Sequence, residues 1–358
     1  MYAFKPDYSI HPGEYLEDVL SAREIKKNDL SMRLGISVKH LSQILNKQAS
    51  ISSELALHLE RALGISANIW NHMNADYNLF EARQNEQKLL REKIQWLKKF
   101  PIKDLIKNNF LPNVKNFETQ IEKLLEFLGI SSPEQWVYYI NKNTNFLRST
   151  AFQENIEHIT SWLRAGELLA IEQTVEPFNK EILKSNLNEL RKLTLLTFNE
   201  FITPLKEICL KNGIALVILP EFTNTHVFGA SYFHSPHKAV IIMSMRYKTN
   251  DHFWFTFFHE IAHIILHSKK EVHIDEPNGT KTDDEMEANK YSENILIPEA
   301  DFKKFSKNKI FSKNLILNFA RKIELHPGIV VGRLQYNKLL HLNKFNELKD
   351  RIDFKTEK

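Results

Sequence analysis

The sequence predicts a multidomain chain, mainly α with a smaller α+β part. Three observations lead there. The chain is 358 residues long, more than one ordinary core serves. Apolar residues recur at helical spacing as far as about residue 211. The texture then changes to short β-branched runs between Gly213 and Met245. A composition of 42% hydrophobic and 26% charged residues is that of a soluble globular protein. No apolar run reaches the roughly 18 residues a membrane span requires, so no membrane partner is expected. The N-terminus shows no basic stretch leading into an apolar one, as a secretory signal would. A lone cysteine, Cys209, excludes an internal disulfide framework. These features together predict a cytoplasmic location.

The first 80 residues read as five short helices. Pro12 stands where a helix begins, because its missing N–H costs nothing there. Tyr15, Leu16, Val19 and Leu20 follow at helical spacing. A second helix runs through Asp29–Leu34 and stops at Gly35, and Ser37 caps a third from Val38 to Asn46. Ser52 or Ser53 caps a fourth that carries Leu55, Leu57, Leu59 and Leu63 and ends at Gly64. A fifth starts near Ser66 and carries Trp70.

From about Asn78 the helices become charged. Segment 83–123 holds ten Lys and Arg against five acids, a composition that also suits an ordinary solvated face. Tryptophans 96, 136 and 162 need something to pack on, and the segment lacks the Gly, Ser or Pro richness of a flexible linker. Residues 81–190 are therefore expected to form a helical connector domain. After a helix at roughly 185–211, three strands are expected at 214–220, 228–233 and 238–245. An apolar helix from His252 to His267, a polar loop and a second helix around 283–296 follow. The expected division is 1–80, 81–190, 191–300 and a helical extension at 301–358.

The apolar helix carries the chemistry. In HFWFTFFHEIAHIILH, His259 and His263 stand four apart, which puts both imidazoles on one helical face within reach of one ion. Glu260 lies beside that face, where it can take a proton from a water without binding the metal. A buried helix does not carry three adjacent polar groups without a reason, since each costs free energy unless paired. With one cysteine in the chain, the ion must be held by histidines and carboxylates. Asp283, Asp284, Glu285 and Glu287 offer the third ligand. Glu285 is favoured because it shares a face with Ala288, whose small side chain lets two helices approach, and with Asn289. Asn289 could accept a hydrogen bond from a ligand histidine. Glu287 is the rival.

HEIAHIILH followed by EMEANKYSENILIP resembles the ImmA/IrrE family of zinc metallopeptidases over roughly residues 195–300. The resemblance implies a zincin-like (gluzincin) fold with a small sheet and zinc on His259, His263 and Glu285, manganese being the alternative ion. It also implies Glu260 as general base and a DNA-binding repressor as protein substrate. His326 is a candidate stabiliser of the tetrahedral intermediate, although a capping role fits its sequence context better. Tyr232 and Arg333 are lesser candidates. His267 reads as a packed or helix-C-terminal residue, and FGASYF as an edge strand that could pair with a peptide.

Residues 27–46, KNDLSMRLGISVKHLSQILN, fit a helix-turn-helix. The second helix would expose Ser37, Lys39, His40, Ser42, Gln43, Asn46 and Lys47. Gln and Asn can read adenine edges, and Lys and Ser can contact phosphates. HPGEYLEDVL at 11–20 and SELALHLERALGISANIW at 53–70 resemble the HigA-type antitoxin branch of the XRE/Cro-like repressors, over about residues 8–80. That resemblance implies a five-helix, lambda-repressor-like domain that binds operator DNA as a homodimer. The joined expectation is a transcriptional regulator that carries a zinc metalloendopeptidase. The alternative is an antitoxin that binds DNA and a toxin partner, with its peptidase site idle or sensory.

Overall fold

A computed structural model describes residues 8–136, 155–267, 273–275 and 282–352. By backbone contacts the chain divides into two compact units, Met1–Ile94 and Gln95–Lys358.

The first unit contains α1 (Pro12–Ala22), α2 (Lys27–Leu34), α3 (Val38–Leu45), α4 (Ser53–Leu63) and α5 (Ala67–Arg91). The caps are local. The His11 imidazole accepts from Gly13 N–H, and the Ser37 and Ser52 hydroxyls accept from His40 and Leu55 N–H. Gly35 and Gly64 end α2 and α4 in the left-handed conformation that their missing side chains permit. Leu16, Leu30, Leu41, Ile44, Leu59 and Trp70 form the centre of the core. Leu57, expected among the apolar set of α4, is instead 47% exposed, because it lies half a turn from Leu55 and Leu59.

Gly13 sets the approach of α1 to α3. A methyl group there would fall 2.0 Å from the Ile44 carbonyl oxygen, which is backbone and cannot swing away. Gly13→Ala should therefore destabilise this unit by about 3 kcal/mol, the upper end of overpacking costs. Amide hydrogen exchange of the full chain should show protection lost across α1 and α3; unchanged protection there would refute the contact.

The fifth helix is not short. It runs 25 residues, because nothing between Ala67 and Arg91 breaks it: the stretch has no Gly or Pro and is rich in strong helix formers. The expected boundary at residue 80 thus falls inside α5.

The second unit holds short helices α6 (Ile94–Leu97, whose first residue belongs to the first unit) and α7 (Ile102–Lys107), then α8 (Phe117–Leu128) and α9 (Ile156–Ile171). The helices α10 (Lys180–Lys192) and α11 (Phe198–Lys211) follow. The continuous helix expected at 185–211 is interrupted at Leu196–Thr197, where the Thr197 and Glu200 side chains form a capping box that starts α11.

A four-stranded sheet sits at the centre in the order β1 (Ile214–Leu219), β3 (Lys238–Ser244), β2 (Gly229–Ser235), β4 (His273–Asp275). β1 runs parallel to β3, and β2 is antiparallel to both its neighbours. α9 packs on β1 and β3, α11 on β1, and α12 (Asn250–Leu266) on β2 and β3. Beyond it lie α13 (Asp283–Leu296), α14 (Glu299–Ser306), α15 (Lys313–Lys322) and α16 (Pro327–Tyr336); α13 and α16 pack against α12. Two expectations change here. Part of the polar loop after α12 is strand, and the stretch 229–231 of β2 is not an open edge, since Gly229, Ala230 and Ser231 already pair with Asp275, Ile274 and His273. No helix among the described residues is long and apolar enough to cross a membrane.

Candidate metal centre and nucleic-acid interface

α12 is almost entirely buried, and its apolar residues (Phe253, Trp254, Phe257, Phe258, Ile261, Ile264 and Ile265) belong to the main core of this unit. Its polar residues are buried with them: His259, Glu260 and His263 are 1%, 0% and 2% exposed. α13 comes close because Ala288 is fully buried. Its first turn, capped by the Thr282 hydroxyl accepting from Glu285 N–H, delivers the Glu285 carboxylate to the two imidazoles.

Three donors converge. His259 Nε2 lies 2.9 Å from His263 Nε2 and 3.1 Å from Glu285 Oε2, and His263 Nε2 lies 3.3 Å from Glu285 Oε1. A tetrahedral ion with bonds of about 2.0–2.1 Å would set donor separations near 3.3 Å, so the spacing fits one small divalent cation. The charges fit as well. Burial opposes a proton on His259, yet the Glu285 hydrogen bond and the nearby Asp275 and Glu260 carboxylates outweigh it and raise the imidazole to about 9. Burial would also raise Glu285, but His259 and His263 hold it far below the usual carboxylate range. Burial and the neighbouring His259 push His263 down to about 3. The site therefore favours one positive charge among its donors, and a cation can replace the proton.

Glu260 is the other signature. Both of its oxygens are buried and, among the described residues, make no hydrogen bond of good geometry; burial, aided by Asp275, lifts its carboxyl to about 8 against the pull of His259 and of the nearby Ser231 hydroxyl. Gly229 on β2 makes room for it, since a Cβ there would lie 2.5 Å from Glu260 Oε1. This explains the glycine in FGASYF, a signal that strand patterning alone does not reveal.

The remaining expected site residues fall elsewhere. His326 caps α16: its Nδ1 accepts from Gly328 N–H and contacts Asn250 Nδ2 at 2.7 Å, while Nε2 meets Asp350 at 3.1 Å. Asn250 begins α12, nine residues or about 13 Å of helix before His259, so His326 is not brought to the metal donors. Arg333 is fixed to the Glu293 carboxylate at 2.9 Å and lies over Phe302. Asn289 makes no hydrogen bond to either ligand histidine among the described contacts. The other ring nitrogen of one ligand histidine, His263 Nδ1, faces His267 Nδ1 at 2.9 Å. Glu287 points to His267 instead of the metal donors.

In the first unit, α3 presents Ser37, Lys39, Asn46 and Lys47 as exposed residues, with His40, Ser42 and Gln43 half-buried. Ser37 is engaged as the helix cap, and Asn46 Nδ2 donates to Ser42 Oγ at 3.3 Å. Lys27, Arg33 and Lys47 are paired with Glu17, Asp29 and Glu14, which reduces the basic bias of this stretch. Lys39 has no ion pair among the described residues.

Comparison with known proteins agrees with both parts. Residues 213–335 match the family described as IrrE N-terminal-like domain, and residues 19–70 match Helix-turn-helix. Virulence-associated protein I of Dichelobacter nodosus is 33% identical over 82 residues, which cover 23% of this chain and 76% of that protein. The chain belongs to the helix-turn-helix family and carries an IrrE N-terminal-like domain. Among solved structures, the antitoxin HigA of Pseudomonas aeruginosa with the higBA promoter is 30% identical, covering 24% of this chain and 95% of that one, with a TM-score of 0.23. An addiction module antidote protein of the HigA family from Coxiella burnetii is 28% identical over 24% of this chain and 92% of that one, with a TM-score of 0.22. The IrrE N-terminal-like domain thus contains His259, Glu260, His263 and Glu285, and the helix-turn-helix match contains α3.

Proposed function

We propose that this chain is a DNA-binding transcriptional regulator whose IrrE N-terminal-like domain is a zinc-dependent endopeptidase acting on a regulatory protein, itself or a repressor. The observation that carries the reading is the convergence of His259 Nε2, His263 Nε2 and the Glu285 carboxylate beside the fully buried Glu260. In this reading residues 191–300 carry the chemistry, 301–358 extend that domain, and His259, His263 and Glu285 hold zinc, or manganese in its place. The bound ion would acidify a water and polarise the scissile carbonyl. Glu260 receives the proton of the attacking water on its carboxylate and returns it to the departing amine, a role suited to a carboxyl whose proton affinity burial has raised.

The test uses the purified full chain loaded with zinc or manganese, incubated by itself and with repressor proteins of its host. Metal-dependent cleavage that a Glu260→Gln chain does not perform is the expected result. A chain that binds its promoter and a small toxin but cuts nothing would favour the antitoxin reading instead.

For the DNA-binding half, the proposed reader of the operator is α3 in a homodimer, with Lys39 free to contact phosphate and Gln43 placed to read a base edge. Lys39→Ala should weaken binding to the chain's own promoter and reduce the slope of log affinity against log salt by about 1 for each such contact. Fluorescence anisotropy at several salt concentrations measures this; an unchanged slope removes Lys39 from the interface.

A further inference from the structure

His267 stands at the C-terminus of α12, as its place in the sequence implies, and its surroundings are polar on both sides of the ring. It is the C-cap of α12, in an extended conformation that turns the chain out of the helix, and its N–H donates to the His263 carbonyl at 3.0 Å. Its side chain is only 6% exposed. On one side Nδ1 lies 2.9 Å from His263 Nδ1. On the other, Nε2 faces Glu287 Oε2 at 3.4 Å and Asp284 Oδ1 at 3.8 Å.

We propose that His267 is a positioning residue that fixes which nitrogen of His263 carries the proton and aims its Nε2 at the metal. This rests on the zinc-site reading above. A neutral imidazole has one N–H. If His263 Nε2 ligates, its lone pair must be bare and the proton must sit on Nδ1. That proton can be donated to His267 Nδ1 only if His267 Nδ1 is itself bare, which places the second proton on His267 Nε2. There the Glu287 carboxylate accepts it at 3.4 Å, and Asp284 at 3.8 Å adds its negative charge beside it. Each donor then meets an acceptor from α13 through two imidazoles to the metal. The arrangement lengthens the familiar carboxylate–histidine–metal pattern by one ring. α13 supplies both ends, with Glu285 as ligand and Asp284 and Glu287, three residues apart on another face, as the outer anchor.

The same histidines suggest a second ion on His263, His267 and His273, whose nitrogens lie within 4.8 Å of one another. Ring geometry argues against it. His263 and His273 are stacked at 4.1 Å with planes only 16° apart, so their in-plane lone pairs run side by side instead of meeting at one point.

The experiment measures zinc affinity of the full chain by competition with a chromophoric chelator, with circular dichroism of the metal-free proteins as a check on folding. His267→Phe fills the space without an acceptor and should weaken zinc binding about 10- to 100-fold. His267→Gln restores an acceptor and should recover most of that loss. Should the Phe variant fail to fold, the exposed pair Asp284→Asn with Glu287→Gln provides a second route, expected to weaken zinc several-fold. Parent protein that binds no zinc would defeat the metal reading itself. Parent that binds zinc while His267→Phe binds it equally well would overturn only the positioning role. Equal loss in the Phe and Gln variants, both folded, would overturn it too, because packing and not hydrogen bonding would be at work. A zinc stoichiometry of two falling to one in His267→Phe would assign the second ion instead.

Discussion

Glu260→Gln should leave zinc binding intact and reduce peptide hydrolysis by about 10³- to 10⁴-fold, the upper range for loss of a general base. Glu260 lies outside the convergence of His259, His263 and Glu285, so removing its charge does not remove a ligand. The amide keeps the volume that Gly229 leaves open but cannot accept and return a proton. Metal content measured beside cleavage of the same substrate separates the two effects; a variant that loses its zinc in parallel with its activity would make Glu260 a ligand instead. The same substitution has a second consequence in the metal-free protein. The Glu260 carboxyl rises from 4.5 to about 8 on folding because it is buried. Between those values the folded chain holds a proton that the unfolded chain has released. This residue's contribution to stability is therefore full below pH 4.5 and is lost as pH rises through about 8. Thermal denaturation in chelator should show the parent losing more Tm than Glu260→Gln between pH 5 and pH 8. Equal losses would mean that the carboxyl is not desolvated as described.

Glu285→Gln should cost most of the bound metal. Glu285 is the anionic member of the donor set, held ionised by both imidazoles, and a neutral amide oxygen is a weaker ligand for a divalent cation. It also removes the anionic acceptor that His259 and His263 face at 3.1 and 3.3 Å, leaving two imidazoles 2.9 Å apart with only the more distant Asp275 and Glu260 to balance a shared charge. Zinc per chain, measured after dialysis, should fall well below one equivalent. Retention of a full equivalent would move the third ligand elsewhere. Glu287, the rival in sequence, is 62% exposed and pairs with His267, so Glu287→Gln should weaken zinc binding at most several-fold and still take up one equivalent at saturating zinc.

What the sequence made legible follows the range of the forces involved. His259, Glu260 and His263 were readable because their geometry is one turn of one helix. Glu285 was readable because Ala288, three residues on, announces a close helix packing. The link from His263 to His267, and the lack of one from Asn289 among the described contacts, depend on how α13 and the end of α12 meet, which no local spacing encodes. The capping role that sequence context favours for His326 is local, a bond from Gly328, whereas the links to Asn250 and Asp350 that hold it at the far end of α12 are tertiary. The strand β4 is three residues long, too short for alternation to show. The length of α5 was hidden differently. Its composition is helical throughout, but only Ala67, Trp70 and Leu90 are buried, so the apolar pattern fades while the helix continues.

The division of the donor set between two helices has a kinetic consequence. His259 and His263 belong to a buried helix that opens only with the core of the unit, whereas Glu285 arrives on the first turn of α13, where helix ends fray most readily. If His259, His263 and Glu285 hold an ion as proposed, its release would begin with that turn letting go of its carboxylate, and its residence time would follow fraying at Thr282–Glu285. A cap that forms faster or breaks less often lengthens the memory of having once been loaded, without altering a single ligand.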